Sequence, residues 1–203
     1  MRSHHYLIFS LLIALQLWTC GSDQKRKTIS QDIPAAVYPC LQSGDLILRA
    51  GQGLLSSTLM MGLDEPRAFS HVGILYQNGE DWEVWHSVSS DYGDKDGLQT
   101  ARLLDWLAEA RENAYLISRH VSGENLVFLQ AAKALLDAEI AFDDRFDFAD
   151  STRMYCTEFV YHALRDAGLE APTPELLNSG VVGVDFEPFW GGDLFEVIYD
   201  PAN

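Results

Sequence analysis

A thiol and an imidazole together can break acyl bonds near neutral pH, the imidazole taking the proton that turns the thiol into a nucleophile. This chain offers such a pair in two short runs, His71 in FSHVGILY (69–76) and Cys156 in YCTEFVYHAL (155–164). Each also has an ordinary reading. Cys156, Phe159, Val160, Ala163, Leu164 and Ala167 form the i, i+3, i+4 series of a buried helix face, where a free cysteine packs as a small hydrophobe. His71 alternates with Gly73 and Leu75 against Val72, Ile74 and Tyr76, and a lone strand histidine is more often a satisfied polar residue than a base. What favours chemistry is position. Asp150, Ser151 and Thr152 are N-cap residues ahead of Cys156, which puts the thiol in the early turns of a helix, where unpaired amides and the dipole favour a thiolate.

A catalytic imidazole also needs a partner on its second ring nitrogen. SHVGILYQ (70–77) and WEVWHSV (82–88) flank NGED (78–81), and Asn-Gly between strand-like runs is the strongest short-range hairpin signal. A turn there pairs positions summing to about 159, so His71 falls opposite the neighbourhood of Val88 and His86 becomes its diagonal neighbour. His86 is the expected third group. Glu83, close to the turn and therefore to solvent, is the alternative.

The other elements follow from pattern. GDLILRAG (44–51) reads as a buried strand, SSTLMMGL (56–63) as a short helix, and RLLDWLAEAREN (102–113) as an amphipathic helix with Leu103, Leu104, Leu107 and Ala108 inward. AYLISRHV (114–121) reads as a strand, 125–140 as a helix, 151–167 as a third helix ending at Gly168, and DLFEVIYD (193–200) as a last strand. The expected class is α+β, an antiparallel sheet or partial barrel packed against a few helices. The Pro- and Gly-rich segment from Pro172 to Gly192 is expected to shape the cleft.

The first twenty residues, MRSHHYLIFSLLIALQLWTC, pair a basic start with an apolar run too short to span a bilayer, the pattern of a signal peptide. LWTC resembles a lipobox, with Cys20 as the lipid acceptor. The expected organisation is signal peptide 1–20, flexible tether 21–38 and one domain 39–203, placed in the bacterial cell envelope and held to the membrane by the lipid. A formal net charge of −16 over 203 residues argues against a nucleic-acid partner. With Cys20 lipidated, Cys40 and Cys156 remain, and a disulfide between them competes with a catalytic thiol.

No metal or cofactor is expected. Asp143, Asp144, Asp147 and Asp150 lack the glycine and terminal glutamate of a calcium loop, residues 50–57 lack the phosphate-loop pattern, and His120 and His162 have no metal-like spacing. Glu158 is read as complementing its helix dipole, and the roles of Trp82, Trp85, Trp106 and Trp190 stay open between core and cleft wall.

In GDLIL (44–48), FSHVGILY, EVWHSV (83–88) and above all FDDRFDFADSTRMYCTEFVYHAL (142–164), the chain resembles the circularly permuted papain-like enzymes of the YiiX/YebB-like group, relatives of NlpC-type cell-wall peptidases. The resemblance covers Gly44 to Gly168, with YCTE its most specific element. It implies a permuted papain-like fold in which the histidine strand precedes the cysteine helix. It implies Cys156 as nucleophile, His71 as base and His86 as third group, where many members carry glutamate. Tyr155 and Ser70 are the candidates for the oxyanion site or cleft. The function expected is an exported thiol hydrolase cleaving an amide bond, in peptidoglycan peptides or acylated amines. A non-catalytic envelope binding module and a lipid acyl hydrolase or acyltransferase on the same fold are the alternatives.

Overall fold

The computed structural model describes residues 32–51, 69–91, 95–177 and 179–203. The signal peptide, Cys20, residues 21–31 and the expected helix at 56–63 lie outside these. The chain runs β1 (Leu46–Gly51), β2 (His71–Asn78), β3 (Asp81–Val88), β4 (Gly97–Arg102), α1 (Leu103–Ala108), β5 (Ala110–His120), α2 (Asn125–Asp137), α3 (Cys156–Asp166), β6 (Glu175–Leu176), β7 (Val182–Gly183) and β8 (Phe195–Tyr199). Six strands form one sheet in the order β4-β3-β2-β1-β5-β8, and every neighbouring pair is antiparallel. The class is α+β, as expected, while β6 and β7 form a separate two-stranded ribbon.

The period-2 alternation of the strands divides the interior into two layers. Leu46, Leu48, Val72, Ile74, Trp85 and Leu116 pack with Phe128, Phe159, Val160 and Leu164 of α2 and α3. Ile47, Leu75, Val84, Tyr115 and Ile117 pack on the opposite face with Leu103, Trp106 and Leu107 of α1. That second layer also takes Ile33 and Leu41. Residues 32–38, expected in the tether, are thus folded onto the domain, with Tyr38 Oη donating to Asp32 at 2.8 Å.

Three elements differ from the sequence reading. The helix expected over 102–113 is only α1, because Ala110 instead pairs with Gly51 and begins β5. Its buried side is Leu103, Trp106 and Leu107, while Leu104 is 45% exposed. The edge strand β4 was not expected, since GLQTAR has no apolar alternation. Finally, α3 starts at Cys156 and not near Ser151. Asp150 caps a local turn through Thr152 N–H at 3.1 Å, Arg153 bridges Ala141, and the N-cap is Tyr155. The helix ends before Gly168, whose φ is +71°.

Gly73 governs how near the two hairpin strands come. A Cβ there would collide with Val84 Cγ1 and sit 3.1 Å from the Trp85 carbonyl oxygen and 3.4 Å from His86 Cβ. The bare backbone lets Val84 and His86 of β3 close over β2. Gly73→Ala is therefore expected to destabilise the fold by about 1–3 kcal/mol through overpacking, read as a lower urea midpoint with an unchanged denaturant slope.

Candidate active site

Strands β2 and β3 are paired from Asn78↔Asp81 up to Ile74↔Trp85 and no further, although β2 begins at His71 and β3 continues to Val88. Leu75 N–H donates to the Asp45 carbonyl at 2.7 Å, on the β1 side. By the alternation of an antiparallel ladder, the Val72 amide then points the other way, into the gap where β3 has parted. The Cys156 sulfur occupies that position, accepting from the amides of Val72, Thr157 and its own residue. Ser87, on the β3 side of the gap, donates to the Met154 carbonyl at 2.5 Å and so fixes the start of α3 against β3.

The histidines approach from the other face. His71 follows the parity of Leu75, and His86 that of Val84, so both project toward α1 and away from α3. His71 Nε2 and His86 Nδ1 are 2.8 Å apart, with the rings edge to face and their centroids 5.1 Å apart. The expected diagonal contact therefore forms. Glu83 does not compete, because it accepts from Asn78 Nδ2 at 2.9 Å beside the turn. The sequence reading paired Cys156 with His71 as nucleophile and base without assigning them to a face of the sheet. They flank the parted strands from opposite faces, and among the described residues no hydrogen bond joins the Cys156 thiol to the His71 ring. With Nε2 committed to His86, the His71 nitrogen left for the thiol is Nδ1.

A residue the sequence reading passed over completes the surroundings. Arg49 stands directly across the β1–β2 ladder from His71 and is buried. Its Nη1 donates to the Trp106 carbonyl, its Nη2 to Glu109 Oε2 at 2.5 Å, and its Cζ lies 4.3 Å from the centre of the Trp106 ring. Trp106 also stacks on His71 at 5.8 Å. The one available signal was a charged residue inside an otherwise apolar strand, LILRAG.

These surroundings set the protonation states. Burial pushes the Cys156 thiol up to about 11, and the amides around it, together with Arg49, pull back only in part. His71 is held well below its ordinary value by burial, then by Arg49 and His86. His86 is drawn down to about 3 by burial and Arg49. The resting pair is a neutral thiol beside neutral imidazoles, not the thiolate that the helix start alone would favour, because burial outweighs the dipole.

Tyr155 and Ser70 have other engagements. The Tyr155 ring lies 5.3 Å from that of Phe146, its hydroxyl is wedged where a Cβ on Gly183 would fall, and it thereby braces the β6–β7 ribbon. Ser70 Oγ accepts from Gly51 N–H at 2.9 Å, tying the end of β1 to the start of β2. Cys40 and Cys156 are both free, the first exposed and the second buried, so the competing disulfide is not formed.

The family described as permuted papain-like amidase enzymes, YaeF/YiiX, C92, matches residues 40–190. The chain belongs to that family. Membership makes it a papain-like cysteine hydrolase of the amidase and peptidase kind. The crystal structure of the metalloprotein yiiX from Escherichia coli O157:H7 is similar in fold, with a TM-score of 0.64 and 16% sequence identity over 78% of this chain and 97% of that one. Among the described residues of this family member, no group of three or more His, Cys, Asp or Glu side chains is placed to hold a metal ion. A comparison with curated proteins finds no match.

Within the YCTE run of this permuted amidase, Glu158, read from the sequence as complementing its helix dipole, is fully buried. Its Oε2 accepts from Tyr155 N–H at 3.4 Å, capping the start of α3 from the third position of the helix. Its Oε1 stands 3.6 Å from His162 Nε2, and neither atom has a hydrogen-bond partner among the described residues. Burial raises the Glu158 carboxyl above the ordinary carboxylate range. A pKa raised on folding favours the native state below the unfolded value and loses that contribution as pH rises through the folded one. Glu158→Gln keeps an oxygen for the Tyr155 amide, removes the buried charge and adds a donor for His162. Its Tm is expected to match that of the wild type near pH 4 and to exceed it increasingly from there to pH 8, while Glu158→Ala loses the cap and melts lower at both.

Proposed function

We propose that the chain hydrolyses an amide bond by thiol acyl transfer, with Cys156 as nucleophile, His71 as base and His86 as the group that orients it. The observation that carries this reading is the 2.8 Å contact between His71 Nε2 and His86 Nδ1 at the strand gap where the Val72 amide meets the Cys156 sulfur. For His71 to accept a proton at Nδ1 it must carry its own on Nε2 and donate it to His86 Nδ1. His86 is then the Nε2-protonated tautomer.

The steps follow from that assignment. His71 Nδ1 takes the thiol proton as sulfur attacks the carbonyl carbon. The negative charge that develops on oxygen is met by the Cys156 and Thr157 amides at the start of α3, which face the sulfur at rest and follow the charge to the oxygen. The His71 imidazolium then protonates the departing nitrogen, and water, activated by the same ring, releases the acyl group from sulfur. Apo geometry in which base and nucleophile are not yet hydrogen-bonded is common and tightens when substrate binds. The bond favoured is an amide, of a peptidoglycan peptide or an acylated amine, on the strength of the family. The site works in the cell envelope, on the strength of the signal-like start and LWTC.

The test is to incubate the chain with envelope extract and find the acyl group on Cys156 by mass spectrometry. A peptidyl or acyl-amine-derived adduct is expected, lost in Cys156→Ala and His71→Ala. His86→Ala should slow its formation by about 10²-fold or more, and His86→Asn less. An adduct derived from phospholipid would replace the amidase reading with the lipid acyl hydrolase. No adduct, with iodoacetamide alkylation of Cys156 unaffected by His71→Ala, leaves the binding module. Because burial holds the thiol protonated at neutral pH, alkylation should accelerate as pH rises toward about 11.

The lipid anchor has its own readout. Cells expressing the full chain with labelled palmitate should incorporate label into it and lose that label in Cys20→Ser; equal labelling of both rejects Cys20 as the acceptor.

A further inference from the structure

An arginine removed from water costs several kcal/mol unless its charge is well compensated, and the compensation of Arg49 is one-sided. Its ion-pair partner Glu109 is itself 64% exposed, and among the described residues its Nε has no hydrogen-bond partner. A clamp between β1 and α1 would be served as well by an apolar pair of the same volume. What such a pair would not supply is a fixed cation directly across the ladder from His71, on the face that carries both imidazoles.

The groups around His71 come from three elements: Arg49 from β1, His86 from β3 and Trp106 from α1, while the Cys156 thiol of α3 interacts electrostatically with Arg49. Arg49 is the permanent charge among them. Glu109, on the short turn after α1, sits at the guanidinium. A cation opposes protonation of nearby imidazoles and favours a nearby thiolate or oxyanion. Its effect is strong here because water is largely excluded.

We propose that Arg49 is a positioning residue of this site: clamped by Trp106 and Glu109, its charge adds to burial in keeping the His71–His86 pair uncharged and ready to accept the thiol proton, and Glu109 sets how much of that charge the pair experiences. This rests on the Cys156–His71–His86 reading above.

The two residues predict effects of opposite sign, which a merely structural clamp does not. In the full-length chain, the histidine Hε1 signals are followed by NMR against pH, assigned with His71→Gln and His86→Gln, and Cys156 alkylation by iodoacetamide is timed at fixed pH. In Arg49→Met the His71 and His86 titrations should move to higher pH and alkylation should slow by roughly threefold or more, the equivalent of half a pH unit. Arg49→Lys should recover most of both. In Glu109→Gln, which unmasks the guanidinium, alkylation should instead become faster. Unmoved titrations in a folded Arg49→Met, or alkylation in Glu109→Gln that is unchanged or slower, overturn the proposal. If Arg49→Met does not fold, Glu109→Gln decides alone, since its carboxylate is at the surface. Titrations that shift in Arg49→Met, with alkylation indifferent to His71→Ala, uphold the role of Arg49 and reject the catalytic reading it was attached to.

Discussion

Where β2 leaves β3, one backbone amide loses its strand partner, and the placement of everything else in the site depends on what replaces it. Val72 N–H points into the gap, and the replacement is the Cys156 sulfur. A buried amide left unpaired costs on the order of 1–3 kcal/mol, so sulfur and strand hold one another in register. The gap exists because β3 goes on to pair with β4 as far as Val88↔Gly97, while β2 ends its pairing with β3 at Ile74. The Ser87 bond to Met154 then sets the height of α3, and thus which side chain arrives at the amide.

The same gap reconciles two faces of one sheet. Helix α3 must pack on the Val72 and Ile74 face to bury Phe159, Val160 and Leu164. The histidines must project to the α1 face, because their strand parity leaves no choice. An intact ladder would separate them by its full thickness. Parting the strands for a few residues removes that barrier without exposing the core. The burial that results sets the resting electrostatics: desolvation dominates at all three groups, and Arg49 acts in the same sense on both imidazoles while opposing desolvation at the thiol.

Much of this was legible in the sequence, and the exceptions share a cause. Asn78-Gly79 marked the hairpin, and its register, Ile74↔Trp85, follows from the turn alone, which is why His86 could be preferred to Glu83. The inward series from Cys156 to Leu164 and the stop at Gly168 located α3. What alternation cannot say is which face of a sheet a given helix will cover, so the opposed approach of His71 and Cys156 was invisible. The start of α3 was misjudged because Asp150, Ser151 and Thr152 are better caps by residue type than Tyr155, and only the bond from the Tyr155 amide to Glu158 marks where the helix begins. Arg49 went unread because its partners, Trp106 and Glu109, are distant in sequence and belong to a helix that ends earlier than its pattern implied.

The burial of Cys156 has a consequence for durability. Oxidants attack the thiolate far faster than the thiol, and a sulfur at the bottom of a strand gap, kept protonated, presents almost none of the vulnerable form. The exposed Cys40 is then the residue that meets peroxide or a stray disulfide first. A thiol held in this way is spared by oxidants, unlike one whose resting sulfur is already ionised and must be guarded by reductants.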